Sequence, residues 1–406
     1  ATQLKTALDN MILNKDLILS LKNGSYLFTV KNSSIGAGTE MKLSELPGVT
    51  TSGLTSVGTR VKIDNATSGN DYKILKITGG NILVDEDVNL ETTTDKYRRI
   101  DKESSSIKVD SGKKIEGTSA NQVAIGQRNT ITANAADMKL INEGTIKLDG
   151  NKSTGIAGET GTIENKGIIN VNGVESTGLY GADGSVITND TAGKINIGSK
   201  GAGILAQNDL DGTLKTTGKI TVENKGDITA NSNGVKTIGI YADNANKSVG
   251  STVKHTSGNI DLLNAKGSLG IYTNSLGLTS SGNIKVGDES AGVNAVNSTT
   301  VVSGGNVEVG TKSIGFILEG IGKTSTTTFD GQAAGTLKIN GPNSVGYYLV
   351  NADANTTTNF KDNLAFNPGN NKYTYIYIKG NSATNKSKIE QFGRRSDCKE
   401  IRLSLF

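Results

Sequence analysis

The sequence is short of the residues from which most catalytic and metal sites are built. Its 406 residues include one histidine, one cysteine and no tryptophan. Cys398 alone cannot form a disulfide framework, and zinc sites with two histidines or a cysteine cluster are excluded. A Ser-His-Asp triad would have to use His255. Neither a G-x-S-x-G nor an H-E-x-x-H motif occurs, so a nucleophilic hydrolase is not expected.

The chain also has little net charge, few apolar residues and few prolines. The 43 Lys and Arg residues nearly balance 39 Asp and Glu residues, so no nucleic-acid partner is expected. Apolar residues make up 34% of the chain and aromatics 4%, with three prolines and 52 glycines. The sequence contains no run of about 18 apolar residues, the length that a transmembrane helix requires. This composition favours a thin, β-rich solenoid over a globule with a thick core.

The two ends of the chain are atypical. The chain begins at Ala1 without the features of a signal peptide, which indicates a processed chain or an excised segment. Arg394, Arg395 and Arg402 lie beside Cys398 in the last thirteen residues. Two interpretations are open: a cap or non-native sequence, and a terminal strand over 401–406, where apolar and polar residues alternate.

One repeated unit dominates the chain after residue 142. Its first half, Gly-x-Ile-x-Val, occurs at 144–148, 167–171, 193–197, 218–222, 258–262, 282–286, 305–309 and 335–339. Its second half, Ser/Thr-x-Gly-Ile-Tyr-Ala, follows with glycines at Gly155, Gly178, Gly203, Gly239, Gly270, Gly292, Gly315 and Gly346. These glycines are separated by 23, 25, 36, 31, 22, 23 and 31 residues. The shortest spacing indicates the bare unit, and the longer ones indicate loop insertions at 208–217, 243–257 and 320–333.

The unit has the length of one turn of a parallel β-helix. Alternation places Ile, Val and Leu on one face and Lys, Asn, Asp and Thr on the other. So small a sheet cannot bury that face alone, whereas stacked coils, each rising about 4.8 Å, can. The glycines would supply positive φ or a close backbone approach at the corners. The predicted fold is all-β, a parallel β-helix solenoid.

Three regions are expected along the chain. Residues 61–380 form the coils, with weaker repeats whose strands are predicted at 74–77, 82–84, 107–109 and 123–125. Residues 1–60 form an N-terminal cap or irregular coils. Leu4, Leu8 and Ile12 suggest a short capping helix, although ordinary strands fit nearly as well; strands are expected at 17–19 and 26–30 and a loop over 31–60. Residues 381–406 form the atypical tail.

Candidates for chemistry are few. We interpret His255 as a solvent-exposed loop residue. Acids cluster at Asp85, Glu86 and Asp87 and at Asp288–Glu289. Two carboxylates can act as acid and base when they lie about 5–10 Å apart, but acids are common at strand ends and turns. No metal site or cofactor is expected, since no calcium-binding motif occurs.

Tyrosines recur at one place in successive repeats: Tyr180, Tyr241, Tyr272, Tyr347 and Tyr348. They form either a stacked structural ladder or an exposed row for contact with a sugar or a protein. If the neighbouring isoleucines point inward, alternation turns the tyrosines outward. The insertions 208–217, 243–257 and 320–331 are further candidates, because function in solenoids often lies on loops.

The repeats resemble a known family. Residues 164–171, Glu-Asn-Lys-Gly-Ile-Ile-Asn-Val, are followed by Ser176-Thr177-Gly178-Leu179-Tyr180, and 223–229 are followed by Gly239-Ile240-Tyr241-Ala242. This pattern resembles the passenger domains of large type V autotransporter adhesins of anaerobic Gram-negative bacteria. The resemblance covers about 100–380 and is one of repeat style, so no binding residue can be carried over.

The resemblance implies a right-handed β-helix exported across the outer membrane and displayed on the cell surface. In that family a signal peptide precedes the passenger and a translocator barrel follows it, so this chain would be a passenger fragment. The expected function is non-enzymatic attachment to a protein or glycan on host cells or other bacteria. Two alternatives remain: a β-helix polysaccharide-degrading enzyme, and a ligand-free spacer or fibre segment.

Overall fold

The computed structural model describes most of the chain between residues 105 and 351 and separate segments outside it. The described residues are 17–22, 25–30, 40–42, 60–64, 72–78, 80–84, 87–92, 99–100, 105–127, 139–158, 160–182, 184–208, 218–232, 234–244, 250–320, 328–331, 336–351, 357–360, 373–380, 388–390 and 402–404. Within them the regular elements are strands and one short 3-10 turn, Leu90–Thr92. Among these residues no helix is long and apolar enough to cross a membrane.

An antiparallel sheet precedes the repeats. Its five strands pair in the order β1-β2-β5-β4-β3. The strands are β1 (Leu17–Lys22), β2 (Ser25–Val30), β3 (Glu40–Lys42), β4 (Arg60–Asp64) and β5 (Tyr72–Thr78). The strands expected near 17 and 26 are therefore confirmed. A boundary at residue 61 falls inside this sheet, whose β4 and β5 pair antiparallel. The expected helix over 4–12 lies outside the described residues.

Three parallel sheets form the rest of the described chain, and we name them sheets I, II and III. Sheet I contains β6 (Gly80–Val84), β9 (Ser105–Val109), β12 (Lys139–Asn142), β15 (Thr162–Asn165), β18 (Val186–Asn189), β21 (Thr221–Asn224), β24 (Thr252–His255), β27 (Gly277–Ser280), β30 (Thr299–Val302), β33 (Thr328–Gly331), β36 (Thr357–Phe360) and β38 (Lys388–Glu390). Sheet II contains β7 (Val88–Asn89), β10 (Lys114–Gly117), β13 (Thr145–Leu148), β16 (Ile168–Val171), β19 (Lys194–Ile197), β22 (Asp227–Ala230), β25 (Asn259–Leu262), β28 (Asn283–Val286), β31 (Asn306–Val309) and β34 (Thr336–Ile339). Sheet III contains β8 (Arg99–Ile100), β11 (Val123–Gln127), β14 (Thr154–Gly158), β17 (Thr177–Ala182), β20 (Ala202–Gln207), β23 (Ile238–Asp243), β26 (Leu269–Asn274), β29 (Ala291–Val296), β32 (Ile314–Gly320), β35 (Ser344–Asn351), β37 (Tyr373–Gly380) and β39 (Arg402–Ser404).

From β6 to β36 the chain visits the three sheets in turn, and strands pair in parallel with the strand three places later, as in β13 with β16 and β15 with β18. After β34 the described strands belong to sheets I and III alone, so β35 pairs with β37, β36 with β38 and β37 with β39. This is a parallel β-helix, and the predicted fold is confirmed. Its right-handed sense stays a prediction, and it is the sense that parallel connections almost always take.

The core is a stack of aliphatic side chains. In sheets I and II the second and fourth residues of a strand point inward, for example Ile146 and Leu148 in β13. Ile146, Ile169 and Ile195 lie in register in successive coils, and each is fully buried. The period-2 alternation of the repeat is therefore the direct cause of this core.

Polar side chains continue the stack at two positions. In sheet I, Asn142, Asn165, Asn189 and Asn224 are fully buried, and the Nδ2 of each of the first three donates to the Oδ1 of the next asparagine at 2.8 Å. At the entrance to sheet III, the backbone N–H of Ser290 donates to Ser313 Oγ at 3.1 Å, and similar bonds join other serines along the rod. These bonds satisfy polar groups that would otherwise be costly to bury.

The corner before this serine position adopts the left-handed conformation with residues other than glycine. The residues at this corner that have φ between 52° and 60° are Asn121, Lys152, Glu175, Lys200, Lys236, Glu289, Lys312 and Asn343. Their amides bond to the next coil, as Lys200 N does to Val235 O at 2.8 Å. The strain of a left-handed residue is thus offset by a backbone hydrogen bond and an exposed side chain.

Two of the expected insertions contain strands of sheet I. Thr252–His255 lies within 243–257 and Thr328–Gly331 within 320–333. The glycine-based repeat did not mark these strands, so they were included in the expected insertions. In the tail, Lys388–Glu390 and Arg402–Ser404 pair in parallel with sheets I and III, so part of the expected strand over 401–406 is present.

Candidate binding face

Sheet III has an outer face unlike those of the other two sheets. In β17, Gly178 and Leu179 both point inward, and the outward residues are Thr177 and Tyr180, which are partly exposed. The same pattern recurs in β20, β23, β26, β29 and β32. Simple alternation therefore fails at the Gly-Ile step of each repeat, where two successive residues point inward and the outward residues on either side lie three apart. In β20, β23, β26 and β32 one more outward residue follows, namely Gln207, Asp243, Asn274 and Glu319.

The tyrosines fall mainly into one outward row. Register places Tyr180, Tyr241, Tyr272 and Tyr348 in this row, together with Ala157, Leu205, Asn294, Ile317 and Tyr377. Tyr347 does not belong to it. Tyr347 pairs with Phe316, is 1% exposed and fills the inward isoleucine position. The prediction that all five tyrosines are equivalent is corrected for this residue, because register gives Tyr347 the inward isoleucine position of its repeat and gives Tyr348 the outward position.

Four tyrosines stack in two pairs on the outer face of sheet III. The rings of Tyr241 and Tyr272 lie 4.7 Å apart with an interplanar angle of 11°, and those of Tyr348 and Tyr377 lie 5.0 Å apart at 3°. Tyr241 donates its hydroxyl to Asp243 Oδ2 at 3.2 Å. Burial, with a further contribution from Asp243, raises the pKa of Tyr241 to about 12. Within each pair, one face of each ring is therefore covered by the other ring.

A second outward row runs beside the tyrosines. It consists of Thr154, Thr177, Ala202, Ile238, Leu269, Ala291, Ile314, Val345 and Thr374. Neither row contains a charged residue between 154 and 377. We call the two rows together the tyrosine face. In the sequence, the residues of this second row occupy the position before each repeat glycine, where the residue type varies. Strict alternation did not predict that they face outward, because two successive residues of the Gly-Ile step point inward.

Sheets I and II have charged outer faces. Outward residues of sheet I include Lys139, Glu164 and Glu223, and those of sheet II include Lys194 and Asp227. Ion pairs join some of them to neighbouring turns, as Lys225 Nζ to Glu223 Oε2 at 3.0 Å. The two rows of the tyrosine face thus differ from the outer faces of sheets I and II, on which charged residues occur.

The prediction for His255 is wrong. The side chain is fully buried on β24, in register with Asn224. It occupies the asparagine position of its coil, because β24 is a core strand and not part of an exposed loop. Nothing in the local sequence other than the Thr-Val-Lys-His alternation indicated this.

The acidic candidates that the structure describes have structural partners. Asp87 Oδ1 accepts from Lys114 N at 2.9 Å, and Asp288 Oδ1 accepts from Thr311 N at 2.7 Å. Glu289 Oε1 lies 3.0 Å from Lys266 Nζ. Asp85 and Glu86 lie outside the described residues. Among the residues described, no three His, Cys, Asp or Glu side chains form a group that could hold a metal ion.

The insertions contribute little described surface. Asn208 is buried and its Nδ2 donates to Gly218 O at 2.7 Å and to Asn244 Oδ1 at 2.8 Å. The segments 209–217, 245–249 and 321–327 lie outside the described residues. Comparisons with known proteins match the chain to no family model, no curated protein and no solved structure.

Proposed function

We propose that the chain is a segment of a surface-displayed adhesin, a passenger of the autotransporter type, and that the tyrosine face is its binding surface. The observation that carries the proposal is the tyrosine face, whose two outward rows on sheet III contain no charged residue over successive coils from 154 to 377, although Asp243 and Glu319 point outward beside them. Aromatic residues and depletion of charge distinguish the centres of protein interfaces from the remaining surface. A rod with one such side can hold it away from a cell and present it along its length.

The ring geometry favours a protein over a glycan as partner. A sugar ring packs against an open aromatic face, whereas Tyr241 and Tyr272 each cover one face of the other's ring. Their edges, with Ile238 and Leu269 beside them, form a flat apolar strip. Such a strip suits the apolar patch of a protein on a host cell or on another bacterium.

Binding of matched variants to whole cells tests the proposal. Ile238→Lys introduces a charge on the tyrosine face. Ile168→Lys is the control, since Ile168 is an outward isoleucine of sheet II that is 39% exposed. We expect saturable binding to cells, reduced by at least about tenfold in Ile238→Lys, as for a buried interface residue, and unchanged in Ile168→Lys. Equal loss or equal retention in both variants would contradict the role of the tyrosine face.

Treatment of the target cells separates the remaining candidates. Loss of binding after protease treatment supports a protein partner, and loss after glycosidase treatment alone would transfer the proposal to a glycan. Absence of binding to any cell type would favour the spacer alternative. Release of reducing sugar from polysaccharides, lost when Asp288 is replaced by Asn, would favour the enzyme alternative.

A further inference from the structure

His255 interrupts a ladder of amides with a group that can be protonated. Asn224 Nδ2 lies 3.1 Å from His255 Nδ1, and His255 Nε2 lies 3.1 Å from the carbonyl oxygen of Asn283. The next residue in the row is Ser280. Four asparagines therefore precede a single imidazole in one continuous hydrogen-bonded row.

The neighbours determine the protonation state of the ring. Asn224 Nδ2 also lies 3.1 Å from the carbonyl oxygen of Gly226. A carbonyl oxygen only accepts, so this atom of the Asn224 amide is the nitrogen, and it donates to His255 Nδ1. Nε2 must then carry the proton, since Asn283 O also only accepts. The buried ring is neutral, with its one proton on Nε2.

A second proton on the ring is unfavourable, because burial outweighs the backbone hydrogen bonds of Asn283 and Asn224 that favour the protonated form. It would sit on Nδ1, directly opposite the N–H of Asn224. Burial lowers the pKa of His255, because a desolvated imidazolium without a counter-charge is costly. The charged groups on the strands and turns packed against the ring are engaged elsewhere or point outward: Glu223 pairs with Lys225, Asp227 accepts from Asn259, and Lys254 is exposed on the same strand.

The ring and its partner cannot easily rearrange. A Cβ at Gly282 would overlap the ring of His255, so the backbone of the next coil lies directly against it. Reversal of the Asn224 amide would place two N–H donors together at Asn189 unless that amide reversed as well. The reversal would have to continue to Asn142, whose Oδ1 is buried without a hydrogen-bond partner. It would also break the bond to Gly226 O.

We propose that His255 is an acid-sensitive junction in the rod, at which protonation loosens β24 from β21 and β27 while coils with complete amide or aliphatic rows stay folded. A histidine with a lowered pKa binds its proton more readily once the coil opens. The stability that neutral His255 provides is therefore present above about pH 6.5 and decreases as the pH falls below that value. This property does not depend on what the tyrosine face binds.

Hydrogen exchange of the whole chain at about pH 7.5 and about pH 5, corrected for intrinsic exchange rates, tests the proposal. Peptides covering 221–224, 252–258 and 277–283 should exchange faster at the lower pH, by about thirtyfold at most, the factor set by an open-state pKa near 6.5. Peptides covering 162–171 should not change, because their row contains asparagine. Uniform acceleration along the rod would overturn the proposal.

Two variants keep the test specific. His255→Asn continues the ladder with the residue of the preceding coils and should remove the acceleration. Asn224→Asp places a carboxylate opposite Nδ1 and should reduce the acceleration or reverse it, because the imidazolium then has an acceptor. Persistence of the full acceleration in His255→Asn would overturn the proposal whatever Asn224→Asp does.

Discussion

Gly178 lies directly against Ile195 of the following coil. A Cβ built on Gly178 would lie 2.6 Å from Ile195 Cγ2 and 2.6 Å from Gly203 O. The same relationship holds between Gly203 and Ile228 and between Gly239 and Ile260. The repeated glycine of sheet III is therefore required by close packing between coils. The repeated glycine of sheet III and the repeated isoleucine of sheet II therefore contact each other in successive coils.

We expect Gly178→Ala to destabilise the rod. The added methyl group would force the backbone of Gly203 or the side chain of Ile195 to move, at a cost of about 1–3 kcal/mol. Gly277→Ala is the matched control, since its Cβ would meet no atom closer than 3.7 Å. Thermal or chemical unfolding of both variants measures the difference. Equal stability of the two alanine variants would show that the sheet III corner can expand.

We expect Asn189→Leu to lower the free energy of unfolding by about 2–4 kcal/mol. The substitution leaves the Nδ2 of Asn165 and the Oδ1 of Asn224 without partners inside the rod, and each unsatisfied group costs about 1–3 kcal/mol. Asn231→Leu tests the same change at a solvent-exposed bond, Asn231 Nδ2 to Asn172 Oδ1, where we expect less than about 0.5 kcal/mol. Urea unfolding of the two variants is the measurement, and similar losses would contradict a special role for the buried ladder.

We expect opposite effects from two lysine-to-glycine changes. Lys200 has φ of 55° at a corner, so Lys200→Gly relieves left-handed strain and should raise the free energy of unfolding by about 0.5–1 kcal/mol. Lys194 is an outward strand residue, so Lys194→Gly should lower it by about the same amount. Unfolding curves of the two variants give the sign directly, and destabilisation by Lys200→Gly would mean that its side chain matters more than its backbone.

Tyr241 should ionise only in strong alkali. Its pKa is raised from the ordinary value of 10.0 to about 12, mainly by burial, so the stability that the neutral phenol contributes is present below about pH 10 and is lost as the pH rises toward 12. The difference in phenolate absorbance between the wild type and Tyr241→Phe reports this group. Asp243→Asn should lower the pKa only in part, because burial remains. A Tyr241 that titrates near pH 10 would show that its ring is not covered by Tyr272.

The sequence predicted the fold but only part of the candidate site. The alternating pattern around Ile146, Ile169 and Ile195 indicated the core of sheet II, and the outward direction of Tyr241 and Tyr272 was predicted from the same alternation. The inward place of Tyr347 and the buried place of His255 could not be predicted. Tyr347 depends on the register of β35, and His255 depends on a strand that the glycine repeat did not mark.

The amino-acid pattern by itself determined that this chain forms coils with an aliphatic interior, since a period of two and a repeat near 22 residues can bury their apolar face only by stacking. The tertiary structure alone decided which polar side chains join that interior and which apolar ones remain outside. Asn189, His255 and Ser290 are buried because a neighbouring coil supplies each with a hydrogen bond, and Ile238 and Leu269 face outward because Gly239 and Gly270 must approach the adjacent coil. Both outcomes depend on contacts between residues 20 to 40 positions apart, which no local pattern contains.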